Sequence, residues 1–292
     1  MLDLRLAPLR ILWVTLPLTL GPLLADALDP RADEFRSTVS VGGWVVWAAT
    51  LVAMLVPRDL TLTVVRVVVP AAVPAAAWAA LATDDASTAT VVVGVVAATL
   101  AALAALVAPV GEAFVDGSSY GDERRMPLKP PGPLLLAPIP LAWAITVVGL
   151  TAGPLLLAAE QWVAGAVVTA VGLPLAALAA RALQRLARRW LVFVPAGFVL
   201  HDHLALAEPV LFPRVALTGL SIAPADTLAT DFTAGALGVA IEARLDQPIS
   251  LVPARRGSAP ADQIEVTAFL LSPSRPGAAL REARQRRLPT GR

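Results

Sequence analysis

Two short runs and one isolated arginine hold the side chains of this sequence that could do chemistry. Gly117-Ser118-Ser119-Tyr120-Gly121 fits G-x-S-x-G, where a serine on a sharp turn serves as nucleophile. His201-Asp202-His203 sets two imidazoles two residues apart. On a strand they share a face and can grip a metal ion if Asp202 or Glu208 adds a third ligand. Arg66 lies within an apolar run, where the cost of burying charge makes any ionisable group a functional suspect. Each has a plainer reading. The serine motif acts only between a strand and a helix, with a partnered histidine, and here it follows an apolar run in a polar loop, as a chance match would. The histidine pair reads as a polar hairpin tip. The stem of Arg66 is long enough to return its guanidinium to headgroup level. The chain has no cysteine, hence no thiol nucleophile, thiolate metal site or disulfide. It also lacks an H-E-x-x-H motif and paired carboxylates within its apolar runs. No catalytic, cofactor or metal residue is assigned, and no enzyme is expected.

The elements that position these residues are mostly apolar. Hydrophobic residues make up 57% of the chain and charged ones 15%, well below the roughly 25% charged of a soluble domain. About 20 apolar residues cross a bilayer as a helix, and the runs Leu9–Ala25, Val41–Val56, Leu60–Leu81, Thr90–Val110, Pro133–Leu157 and Trp162–Leu183 are each read as a span. Pro57-Arg58-Asp59 is the tight turn between the second and third. Trp13, Trp44, Trp78, Trp162 and Trp190 lie near span ends, where indoles favour headgroup level. Pro17, Pro22, Pro70, Pro74, Pro138, Pro140, Pro154 and Pro174 predict kinks.

Charge alternates between the gaps. Arg5 and Arg10, then Arg58, then Arg124, Arg125 and Lys129, then Arg181, Arg185, Arg188 and Arg189 mark one side. The other gaps hold Arg31 and Arg36 among four acids, Asp84 with Asp85, and Glu160. Basic short loops stay in the cytoplasm, so both termini are expected inside, in a cell inner (plasma) membrane protein. Ala25-Asp26-Ala27 also resembles a signal-cleavage site, and removal of the first span would leave the tail inside. Arg66, Arg181, Arg185, Arg188 and Arg189 are the candidate contacts to anionic lipid, each contributing about 1 kcal/mol near the surface. With the bases explained by topology and a net charge of +1, no nucleic-acid partner is expected.

After Arg189 the texture changes to short segments bounded by turn residues. Strands are predicted at Trp190–Val194, Phe198–Leu200, Pro209–Phe212, Val215–Ile222, Leu237–Leu245, Ile249–Val252 and Ile264–Leu271. In the fifth, Leu237, Val239 and Ile241 should face the core and Glu242 and Arg244 the solvent. A helix over about Gly277–Leu288 follows, with Ser274 as N-cap. The loop before the fifth span reads as an ordered turn and an extended Pro-rich lead whose polar groups could dock on this tail. The division is a transmembrane helical domain, 1–187, and a cytoplasmic β domain, 188–292.

The order from Trp190 through Pro195-Ala196-Gly197 to Leu200, then Pro209 to Leu220, resembles the start of bacterial pleckstrin-homology-like (PH-like) domains. The whole chain is similar to multi-span membrane proteins of actinobacteria. The resemblance implies a small barrel plugged by a C-terminal helix, and binding or scaffolding without catalysis or cofactor. Its partners would be the lipid bilayer and another membrane or cytoplasmic protein. The alternative is a transporter or lipid-handling protein that uses the helical bundle.

Overall fold

Proline lacks a backbone N–H and restricts the residue before it, so apolar runs divide where prolines begin helices. The computed structural model of the chain describes residues 3–83, 86–254 and 262–291. Its first run is a short 3-10 turn followed by α1 (Ala7–Thr19) and α2 (Gly21–Leu28), with Pro8 and Pro22 in their first turns. α3 (Asp33–Leu55) starts eight residues before the expected Val41, its N-terminal dipole favoured by Asp33 and Glu34. α4 (Asp59–Ala82) and α5 (Thr88–Leu106) follow. The expected fourth span divides at Val107, extended ahead of Pro109, and α6 (Ala108–Asp116) begins. The fifth divides at Ala137, ahead of Pro138, into α7 (Gly132–Leu136) and α8 (Pro138–Ala158). α9 (Trp162–Ala187) is last in the series.

Six segments among the described residues are long and apolar enough to cross a membrane: Leu4–Leu28, Asp33–Leu55, Asp59–Ala82, Thr88–Leu106, Pro138–Ala158 and Trp162–Ala187. Asp84 and Asp85 lie outside the described residues. The chain separates into two compact units, one of Met1–Phe114 with Pro140–Gln184, the other of Val115–Ile139 with Arg185–Arg292.

In the first unit, polar atoms find partners on neighbouring helices, and one of them is freed by a proline. Pro17 cannot donate to the carbonyl of Trp13, four residues back. The indole N–H of Trp47 donates to that carbonyl instead (2.9 Å), and the Trp13 indole donates to the Trp47 carbonyl (3.0 Å). Trp13 is therefore 3% exposed between α1 and α3, a helix clamp and not the headgroup anchor expected of it. The guanidinium of Arg10 donates to the Met54 carbonyl (2.7 Å) in the last turn of α3, where a cation also suits the helix dipole. The Trp143 indole donates to the Val67 carbonyl (3.0 Å), and Gln184 donates to Asp59 (3.1 Å). Small residues bring backbones together: Ala98, Ala101 and Ala105 form a buried stripe on α5. On α8, a Cβ at Gly149 would come within 2.5 Å of the Gly172 carbonyl on α9.

The second unit holds two four-stranded sheets. One is β1 (Arg124–Pro127), β2 (Trp190–Val194), β3 (Gly197–His201) and β4 (Val210–Pro213), antiparallel in that order. The other contains β5 (Leu217–Ile222), β6 (Thr230–Asp231), β7 (Ile241–Leu251) and β8 (Ile264–Leu271), ordered β5-β7-β8-β6. β6 runs parallel to β8 and the other pairs are antiparallel. The β2–β3 turn requires glycine, since Gly197 has φ +154° and a Cβ there would strike the Phe212 carbonyl. Inward residues of both sheets meet in one core closed by α10 (Pro276–Gln285). Phe198 contacts Phe212 (centroids 5.2 Å) and Phe212 contacts Phe269 of the other sheet (4.4 Å). Each such pair adds about 0.5–1.5 kcal/mol beyond its area.

Four expectations change. β1 comes from the loop between α6 and α8, pairing Arg125 with Val192 and Met126 with Leu191. Leu237 and Val239 are not strand residues: Ala234, Gly235 and Gly238 have positive φ, and the chain loops until Ile241. Glu242 is 3% exposed, not solvent-facing, because it accepts from Thr227 Oγ1 and Arg244 Nε (both 2.5 Å). The Thr227 hydrogen bond, then Arg244, holds its carboxyl below the usual range despite burial. Arg275, not Ser274, precedes α10, while the Ser274 backbone N–H donates to the Pro127 carbonyl (2.8 Å).

Candidate functional site

Arg66 stands about two turns into α4, on a helix whose neighbours are alanine, valine and leucine. It is half-buried, its Nε is enclosed without a hydrogen-bond partner, and no ion pair reaches it among the described residues. Its Nη2 occupies the space beside Gly111 of α6, 2.7 Å from where a Cβ would stand. A glycine there lets the guanidinium lie along the helix. Next in sequence, Glu112 is 1% exposed, with a carboxylate oxygen 3.9 Å from Arg5 Nη1. Arg5 is also held by Asp3 (2.6 Å). A partly enclosed, unpaired guanidinium offers donors in a planar fork, which suits a phosphate or carboxylate.

Four other arginines were expected at the membrane surface. Arg181, Arg185 and Arg188 are exposed along and just after α9. Arg189 is not: it is 1% exposed in the second unit, and this corrects its assignment as a lipid contact. Its Nε and Nη2 donate to the two carboxylate oxygens of Asp202, both at 2.7 Å, and its Nη1 donates to the Lys129 carbonyl (3.0 Å). The backbone N–H of Leu204 adds a bond to Asp202 (2.9 Å). One strand step after Arg189, the Trp190 ring stacks on His201 (centroids 5.0 Å, 24°), and the Arg125 guanidinium carbon lies 5.7 Å from the centroid of the same Trp190 ring.

That pairing also decides the His201-Asp202-His203 run. Asp202 is turned into the core with both oxygens engaged, so it cannot serve the histidines as a ligand. Glu208 is exposed, and no group of three or more metal-ligating side chains occurs among the described residues. Burial lowers both imidazoles below their ordinary value, with His203 and Arg188 adding to the effect at His201. They are therefore neutral at pH 7 in the folded chain. Unfolding lets them take up protons as pH falls below about 6.5, so this contribution to stability is lost with acidification.

Ser119 lies in a turn after α6 and before β1, the reverse of the strand–turn–helix order that a nucleophile elbow requires. Its hydroxyl donates to Asp116 (3.1 Å), which also accepts from the Arg125 N–H (3.2 Å) and pairs with Arg124. These contacts order the loop.

Glu112 escaped the sequence reading because it was placed just beyond a span end. Lys129 was read as a topological charge in a loop whose polar groups could dock on the tail, and its Nζ donates to the carbonyls of Leu237 (3.2 Å) and Val239 (3.1 Å). A lone lysine among prolines was the available signal. Six membrane-length helices with a two-sheet unit closed by a helix are consistent with a multi-pass membrane protein. No protein-family model, curated protein sequence or solved structure matches the chain.

Proposed function

We propose that this chain is a non-enzymatic scaffold or regulatory adaptor of the cell membrane, acting through a cytoplasmic PH-like domain. One observation carries the reading. The second unit is built from two chain segments, and both continue directly into membrane-length helices, at α8 and α9. A folded domain so attached is carried at the membrane, where its surface can meet partners. Val215 and Leu228, 89% and 101% exposed, are apolar side chains available for a protein partner. The family likeness rests on strand order and the closing helix. With a photo-cross-linking residue at either position in native membranes, a discrete protein adduct is expected. Adducts to lipid alone would remove the adaptor reading.

Orientation follows from the arginine-rich gaps, which place the termini and the second unit inside. Arg181, Arg185 and Arg188 then face anionic headgroups. Single cysteines at Ser37, Ser87 and Gln161 should react with an impermeant thiol reagent on intact cells, and one at Ser118 should not. All four sites fall in the described residues, the first three exposed, and the native chain has no thiol. Ser258, expected on the same side as Ser118, lies outside the described residues. Labelling of Ser118→Cys from outside would reverse the orientation.

The second reading, a lipid-handling protein or transporter, has Arg66 in its favour, since an enclosed Nε with no partner is costly unless an anion visits.

A further inference from the structure

The loop 235–239 departs from the strand predicted there, and its composition is unusual for a surface turn. Leu237 and Val239 are 66% and 52% exposed, and they stand beside α7, whose Leu135 and Leu136 are also exposed. The adjacency is direct. The Gly132 N–H donates to the Gly235 carbonyl (2.9 Å), Pro131 bridges to Ala236, and a Cβ on Gly132 would lie 2.7 Å from the Leu237 side chain. Leu135 and Leu136 follow Gly132 at i+3 and i+4, so they extend the same helix face past Leu237. Four large apolar side chains thus form one contiguous edge.

Two features say what covers this edge. Leu136 is two residues from Pro138, where the membrane-length α8 begins. Even fully extended, the chain from Gly132 to Pro138 reaches no more than about 20 Å, so the edge is confined near the level at which α8 enters the bilayer. Four carbonyls in and beside the loop are also already satisfied. The carbonyl of Gly235 is taken by Gly132, those of Leu237 and Val239 by Lys129 Nζ, and that of Ala240 by the Ala223 N–H (3.0 Å). A loop destined for water has no need of this. A loop entering a region of low water content does, because an unpaired carbonyl there finds no water to bond.

We propose that Leu135, Leu136, Leu237 and Val239 insert into the headgroup–acyl boundary of the lipid bilayer beside the start of α8. Lys129 closes the loop's carbonyls from within and holds its charge at the depth of the phosphates. The proposal rests on α8 spanning the membrane and is independent of the adaptor reading.

The test uses the full chain reconstituted in phosphatidylcholine–phosphatidylglycerol vesicles, with a single environment-sensitive fluorophore on Leu237→Cys or, separately, Val239→Cys. Labels at Val148→Cys, exposed on α8, and Gln247→Cys, exposed on β7, report lipid and water. The labels at 237 and 239 should emit blue-shifted light relative to 247. They should lose more fluorescence to lipid carrying a spin label near the headgroup than to lipid carrying one at the chain terminus, the reverse of 148. Water-like emission at 237 and 239 with normal quenching at 148 overturns the insertion alone. A blue shift with no quenching by either lipid means that protein covers the edge, and also overturns it. Absence of quenching at 148 as well removes the spanning reading of α8 and the proposal together.

Discussion

Replacing Asp202 with alanine should destabilise the second unit by about 3–5 kcal/mol, the range for breaking a buried pair and leaving one charge behind. Arg189 would remain 1% exposed, with its Nε and Nη2 stripped of both carboxylate bonds and only the Lys129 carbonyl still accepting. Hydrogen exchange reads this directly. Amides of β2 and β3 should exchange faster by about two to four orders of magnitude if they open with the whole unit, while those of α4 and α5 keep their protection. A paired replacement, Arg189→Met with Asp202→Leu, should recover most of the loss, since apolar residues of similar volume often substitute for a buried ion pair without penalty. If Asp202→Ala leaves β2–β3 exchange unchanged, the pair is not what holds the strands' entry to the domain. The contrast with a surface lipid contact is sharp, because a surface arginine would tolerate loss of its partner at about 0–1 kcal/mol.

The second large effect concerns β1. A fragment of residues 188–292, the boundary read from the sequence, is expected to fold poorly. It lacks Met126 and Leu128, 3% and 7% exposed in the core, and losing each resembles a large-to-small core change of about 2–5 kcal/mol. It also lacks the bonds from Leu128 N–H to the Arg189 carbonyl (3.0 Å) and from Lys129 N–H to the Ser272 carbonyl (2.8 Å). β2 would become an exposed, strongly apolar edge, which invites pairing between copies. Joining residues 115–131 to the fragment through a flexible linker should restore a single cooperative thermal transition and a monomer. Equal melting of the two forms would show β1 to be dispensable.

How much of this was legible depends on how each residue is surrounded. β2, β3 and β8 could be read because they are short apolar segments bounded by turn residues, and a Pro-Ala-Gly turn punctuates the hairpin. The membrane-length helices could be read because a bilayer demands unbroken apolarity, although Pro109 and Pro138 trimmed two of them. β1 could not. Arg124-Arg125-Met126-Pro127 buries only Met126, and its strand character comes from pairing with a segment more than sixty positions away. Leu237 and Val239 misled for the opposite reason: they alternate like a strand, but glycines at positive φ bend the backbone out of the sheet. In the candidate sites the same rule held. Arg66 was found because its apolar neighbours isolate it. Arg189 was misread as one more base in a basic cluster, since nothing local distinguishes a guanidinium that faces lipid from one that turns inward to meet Asp202.

The origin of β1 also sets a schedule for the ribosome. The chain between Pro127 and Trp190 is about 60 residues long, so at roughly 5–20 residues per second β1 waits some 3–12 s for the strand it must join. During that interval α8 and α9 are made. The waiting strand is not left bare: Arg124 pairs with Asp116, Ser119 donates to the same carboxylate, and Arg125 pairs with Glu123 (3.1 Å), all within ten residues of each other. Local ion pairs can thus keep the loop folded on itself, and its charges discourage premature pairing with another nascent edge. The second unit is therefore completed only after α9 has been made, which ties its appearance to the synthesis of the two helices between β1 and β2.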